Sequence, residues 1–304
     1  MGCGAWSSRD WDAYKTKSKV DSATSVHEVY TSNRIKESMN PHGLRVRESR
    51  DSAEHPNSSP IILGLDVTGS MGDLSLQIAK ESLNTLITDV YKNNSLPDPQ
   101  ICFAAIGDTY YDDSPFQVTQ FESDIRIAEQ LTDTFFEGGG GPNSGESYLL
   151  TWYFAARHTS CDAIEKRGKK GIIFTMGDEP DLPSIPKDHI RAVFGDDVQD
   201  DIHEKDIFAE VSKNWDVFHL ITEHGSRNYD RARESWKRLL GQRALAVSDI
   251  SKIPQVIEST LEMLMGKNVD EVVSKYDSST ALVVKDALKD LAISSNKEAG
   301  LVEF

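Results

Sequence analysis

The chain has 304 residues, enough for one or two domains with a sizeable core, and only three cysteines, which excludes a small disulfide-stapled scaffold. Its 33 Lys and Arg against 49 Asp and Glu leave a formal net charge of −16, a surface that repels phosphate backbones and anionic membranes, so neither nucleic acid nor membrane is an expected partner. Hydrophobic residues at 38%, charged residues at 27% and a mean hydropathy of −0.45 exclude wholesale disorder and fibrous repeats.

No run approaches the ~18 apolar residues that cross a bilayer. The opening MGCGAWSSRDWDAYKTK lacks the apolar stretch of a signal peptide, and a myristoylation pattern would need Ser or Thr where Trp6 stands. Cys3, Cys102 and Cys161 make no CxxC pair and leave one over from any disulfide, which suits a reducing compartment. A cytoplasmic protein is expected, with Cys102 in the core.

Residues 1–58 are polar, with thinly spaced Trp6, Trp11, Tyr14 and Tyr30 and no sustained period, and read as an extended arm whose aromatics dock in part. Pro56-Asn57-Ser58-Ser59-Pro60 marks the boundary of a domain over 59–265. Ile61-Ile62-Leu63-Gly64-Leu65 is a continuous apolar run, as in a strand buried on both faces, and ends at Asp66. Beyond Asp66 to Gly72, the apolar positions Ala79, Leu83, Leu86 and Val90 have the spacing of an amphipathic helix, stopped by Asn93, Asn94, Pro97 and Pro99.

Ile101 to Ile106 repeats the buried-strand pattern, and Phe116 to Gln120 alternates as an edge strand does. Ser123 is placed to cap a helix through Leu131, and after Gly138 to Gly145 a stretch from Glu146 to His158 is apolar nearly all round, as in a buried helix. Gly171 to Thr175, Val217 to Ile221 and Ala244 to Val247 complete the strands, and Ile250 to Met265 closes the domain. Strands alternating with helices predict a doubly wound α/β domain with a mostly parallel sheet and one antiparallel edge strand. Residues 266–304 carry further helical spacing at Val269, Val272, Val273 and Tyr276 and at Val283, Ala287, Leu288 and Leu291, a C-terminal helical extension.

In such a sheet ligands collect beyond the carboxyl ends of the strands. The first strand delivers Asp66, Thr68 and Ser70, a carboxylate and two hydroxyls on one glycine-containing turn, which are hard oxygen ligands suited to Mg²⁺ or Mn²⁺. Asp66-Val67-Thr68-Gly69-Ser70 resembles the Asp-x-Ser-x-Ser motif of the von Willebrand factor A domain, whose metal-ion-dependent adhesion site accepts Thr in the middle position. The resemblance implies a bound Mg²⁺ with one open position for a carboxylate of a partner protein, completed by a Thr before the third helix and an Asp after the fourth strand. Here Asn143 or Ser144 falls where that Thr stands, in an Asn143-Ser144-Gly145-Glu146 loop similar to the Asn-x-x-Gly-Glu of chelatase-type A domains. Thr175-Met176-Gly177-Asp178-Glu179-Pro180 replaces the usual Thr-Asp-Gly, so Asp178 is the expected last ligand, ahead of Glu179 or Asp181. His224 beyond the fifth strand is a further candidate for the same rim.

The implied function is a non-enzymatic binding module, and the resemblance suggests an AAA ATPase or a multiprotein complex as partner. GxSxG and HExxH are absent, and so is a GxxxxGK[ST] loop. A rival reading comes from likeness to haloacid-dehalogenase phosphohydrolases, with Asp66 as nucleophile and Gly177-Asp178-Glu179-Pro180-Asp181 as metal motif. Thr68 stands where that chemistry needs a second Asp, and a helix begins where a flap is expected. A third reading is an assembly scaffold with a degenerate metal site.

Overall fold

The structure, a computed structural model, describes residues 4–23, 25–139, 141, 145–223 and 229–292. A six-stranded sheet carries the fold. Its strands are β1 (Ser59–Asp66), β2 (Pro99–Ile106), β3 (Phe116–Val118), β4 (Gly171–Gly177), β5 (Trp215–Thr222) and β6 (Ala244–Val247). They lie in the order β6-β5-β4-β1-β2-β3, all parallel except β3, which runs antiparallel at the edge beside β2. This is the doubly wound arrangement expected from the sequence, with the edge strand at the expected place.

The continuous apolar runs of β1, β2 and β4 have a plain physical cause, because each strand is covered on both faces. Ile61, Leu63 and Leu65 point into one apolar cluster with the helices Leu83–Lys92 and Ile253–Leu264, while Ile62 joins the other with Leu149–Arg157, Lys187–Phe194, Glu204–Val211 and Tyr229–Leu240. Leu149–Arg157 is buried from Leu149 through Ala155, as its all-round apolarity predicts. It starts three residues later than the pattern suggested, because Glu146, Ser147 and Tyr148 are engaged at the sheet edge. Ala79, Leu83, Leu86 and Val90 are buried on one stripe, and the helix passes through a π-turn at Ile78–Ser82 on the way. Cys102 is fully buried on β2. Among the described residues no helix is long and apolar enough to cross a membrane.

Two local expectations are corrected. The segment before Pro60 is not an extended arm: Ser8–Ser18 is helical, capped by Ser7, and its Trp11 and Tyr14 are buried with Tyr30 and Val20 in the cluster that holds Leu63. Arg47–Ser49 also pairs in parallel with Thr159–Cys161. Ser123 does not cap the following helix, Arg126–Thr132. Its hydroxyl donates to the Gly4 carbonyl at 2.7 Å, while Asp124 accepts from Arg126 N at 3.0 Å.

The C-terminal helices Val269–Val273 and Ser278–Leu288 pack back on Ile253–Leu264. Glu258 and Glu262 of that helix are both buried, and the Lys275 ammonium sits between them, 2.5 Å from Glu258 Oε1 and 2.6 Å from Glu262 Oε2. Lys267 also reaches Glu262 Oε1, at 2.6 Å, and Asn93 and Ser95 each donate to Glu258 Oε1 at 2.9 Å. Removing a single partner from a buried ion network leaves charge uncompensated, which costs about 3 kcal/mol or more. Lys275→Met is therefore expected to lower the urea midpoint by an amount corresponding to about 3 kcal/mol. An unchanged midpoint would mean that Glu258 and Glu262 do not depend on this cation.

Candidate metal centre

Asp66 ends the central strand and has no accessible surface. Its Oδ1 accepts from the Thr68 backbone N–H at 2.8 Å and from the Thr68 hydroxyl at 2.6 Å, and its Oδ2 accepts from the Tyr148 hydroxyl at 2.7 Å. The Thr68 and Ser70 hydroxyl oxygens lie 3.5 Å apart, and Ser70 Oγ donates to Asp178 Oδ1 at 3.1 Å. Four of the residues singled out in the sequence, Asp66, Thr68, Ser70 and Asp178, thus form one connected group. Asn143, Ser144 and His224 lie outside the described residues.

Backbone geometry explains why these side chains converge. The turn after β1 is a single 3₁₀ turn, Gly69–Met71, leading directly into the helix from Gly72. The Gly69 N–H donates to the Gly139 carbonyl at 3.1 Å, so the glycine-rich loop lies against this turn. A Cβ on Gly139 would stand 2.0 Å from Asp112 Oδ1, so any other residue there would displace that carboxylate. Gly177 is needed for a similar reason, since a Cβ at that position would lie 1.9 Å from the Tyr148 hydroxyl.

Sequence reasoning missed the shell that supports Asp66. Tyr148 packs edge-on to His219 at 5.0 Å between ring centroids and to Trp236 at 5.4 Å, and His219 stacks on Trp236 at 3.7 Å. Thr175 Oγ1 lies 2.8 Å from His219 Nδ1, and burial holds this imidazole well below its ordinary pKa, so it is a neutral packing element. Trp236 Nε1 donates to the Glu179 carbonyl at 3.0 Å, and the Ser235 hydroxyl donates to Asp181 Oδ1 at 2.7 Å. Helix Tyr229–Leu240 thereby fixes the loop that carries Asp178. The only sequence signal for this shell was the placing of aromatic residues directly on the elements that flank the site.

Electrostatically the site is a concentration of like charge. Burial, together with the charge of Asp178, raises Asp66 to about 7 despite its three hydrogen bonds. Glu146 is pushed up to about 10, first by burial and then by Asp66, Asp108, Asp112 and Glu179. Only 5% of Glu146 is exposed, and its Oε2 has no hydrogen-bond partner. A divalent cation fits such a set, because carboxylates and hydroxyls are its preferred donors and its charge removes the repulsion. Among the described residues no three Asp, Glu, His or Cys side chains are grouped to hold an ion by themselves.

Asp181 makes a second, separate carboxyl contact. It is raised to about 7 by burial and by the neighbouring Glu204, partly offset by the Ser235 hydrogen bond. A carboxyl whose pKa is higher folded than unfolded contributes stability at low pH and loses it as pH rises, here between about 4 and 7. Asp181→Asn keeps an acceptor for Ser235 and abolishes that loss. Its melting temperature relative to wild type is expected to increase as pH is raised from 4 to 8, and a constant difference across that range would overturn the assignment.

Gly177→Ala is expected to destabilise the protein by about 1–3 kcal/mol through the clash with Tyr148. In a Tyr148→Phe background, where the clashing oxygen is gone, the cost should shrink, and a double-mutant cycle measured by denaturation checks the coupling. Additive effects would contradict the close approach.

No family model and no curated protein matches the chain. Among solved structures, the pilus adhesin SpaC from Lactobacillus rhamnosus GG is similar in its open conformation with a TM-score of 0.43 and 9% identity over 75% of this chain and 31% of the adhesin. A second structure of the same adhesin gives a TM-score of 0.43 and 9% identity over 71% of this chain and 32% of the adhesin. The chain thus spans about a third of the length of the adhesin it resembles.

Proposed function

We propose that this chain is a von Willebrand factor A type binding module that holds Mg²⁺, or Mn²⁺, at Asp66, Thr68, Ser70 and Asp178, with Asn143 and Ser144 of the glycine-rich loop as further ligands. The observation that carries this reading is the hydrogen bond at 3.1 Å between Ser70 on the β1 turn and Asp178 beyond β4, which joins two motif pieces 108 positions apart in the chain. Bound metal would supply positive charge to a group of carboxylates that otherwise repel one another. Ser70 is solvent-exposed whereas Asp66 is buried, so the open side of such a site faces outward, where an acidic side chain of a partner protein can reach it.

The partner class follows from the resemblance: an AAA ATPase or a multiprotein complex in the cytoplasm. Cys102 and Cys161 as buried free thiols are compatible with that compartment. A phosphohydrolase using Asp66 as nucleophile is less well supported, because Thr68 stands where that chemistry needs a second Asp and the helix from Gly72 begins where a flap is expected.

A ligand bound only by the native state stabilises it by RT ln(1 + [L]/Kd), about 2.7 kcal/mol at a hundredfold excess over Kd. Wild type is expected to melt at higher temperature as Mg²⁺ or Mn²⁺ is added, and Asp66→Asn, which preserves the side-chain shape, is expected to lose the shift. Calorimetry finding equal Mg²⁺ affinity in both proteins would remove Asp66 from the site.

A further inference from the structure

We infer that Glu146 belongs to the cation site, its buried carboxylate oxygen accepting a hydrogen bond from one of the waters that a bound divalent ion keeps. This rests on the metal-binding reading above and extends it to a residue that none of the three motif pieces assigns as a ligand.

Four observations carry it. Glu146 is 5% exposed, so its carboxylate cannot turn to bulk water. Its Oε2 has no hydrogen-bond partner, although a buried polar oxygen is ordinarily satisfied. The backbone around it is fixed from both sides: the Glu146 N–H donates to the Pro180 carbonyl at 3.0 Å and the Ser147 N–H to the Gly107 carbonyl at 3.2 Å. The side chain is thus held between the loop of Asp178 and the loop of Asp108, and the charged groups that act on it most strongly are Asp66, Asp108, Asp112 and Glu179.

A carboxylate fixed in this way, with carboxylates as its strongest electrostatic neighbours, is costly unless a cation is added. A neutral carboxylic acid in a purely structural role would still leave Oε2 without a partner. Among the described residues no three acidic, His or Cys side chains form a group that could hold an ion by themselves, so Glu146 is assigned to the outer shell of the site. Mg²⁺ sheds water reluctantly and is commonly bound through only one or two carboxylates with several waters retained, which places an acceptor such as Glu146 one water away. Such outer partners typically contribute about 10–100-fold in metal affinity.

The test uses the full chain, with MgCl₂ as the probe, in wild type, Glu146→Gln and Asp66→Asn. Calorimetry gives affinity, and melting in excess chelator or excess Mg²⁺ gives stability. Glu146→Gln is expected to bind Mg²⁺ about 10–100-fold more weakly while melting, in chelator, at the wild-type temperature or above it, because the amide has the shape of the carboxyl and no charge to bury. These opposite signs separate a metal role from a structural one. Loss of stability by the same amount with and without Mg²⁺ would make Glu146 a packing residue and overturn the proposal. Wild-type Mg²⁺ affinity in Glu146→Gln, with affinity lost in Asp66→Asn, would overturn it while leaving the metal site standing. Absence of Mg²⁺ binding in wild type would overturn both.

Discussion

A carboxylate without accessible surface at the end of the central strand is the constraint around which this molecule is arranged. An isolated buried charge is expensive, and Asp66 is kept in place by donors supplied at fixed positions: a backbone N–H and hydroxyl from Thr68, and the phenol of Tyr148. The parallel topology makes the concentration of charge unavoidable. β1, β2 and β4 all end at the same edge, where β1 closes on Asp66 and the loops after β2 and β4 carry Asp108 and Asp178.

The shell behind Asp66 turns this local constraint into long-range order. Tyr148 reaches Asp66 because Gly177 leaves room for its hydroxyl, and it is wedged by His219 and Trp236. Trp236 in turn holds the Glu179 carbonyl, while Ser235, one residue earlier on the same helix, holds Asp181. One helix on the second face of the sheet therefore sets the position of the loop beyond β4. Rigid support of this kind is what a site needs if its oxygens are to stand ready for a cation rather than collapse onto one another.

The fold was legible because burial writes itself into composition. Ile61 to Leu65, Ile101 to Ile106 and Gly171 to Thr175 are apolar on successive residues since both faces of those strands are covered, and the helices between them show a stripe of matching period. Asp66, Thr68, Ser70 and Asp178 were legible because a local motif fixes their spacing and the sheet edge brings the pieces together. Tyr148 was not, because its importance arises from contacts with Asp66 and Gly177 across the fold, which no local period encodes. The helix at Ser8–Ser18 escaped for a different reason: it buries only Trp11 and Tyr14, too sparse a pattern to show a period of 3.6.

Charge also constrains how a partner can be recognised under the proposed reading. A chain of formal net charge −16 repels an acidic partner at long range, so electrostatic steering opposes rather than assists the encounter. Screening limits that opposition to a Debye length of about 8 Å at physiological ionic strength. Attraction between a metal and a carboxylate then acts only once the surfaces touch, which shifts discrimination onto the immediate rim of the site. Tyr110 and Tyr111 are exposed on the loop that follows Asp108, and Tyr110 is braced edge-on against His189 at 4.6 Å. Aromatic side chains of this kind give contact area at low entropic cost. A module so charged would therefore select its partner by shape and apolar contact around a single coordinating carboxylate rather than by complementarity of net charge.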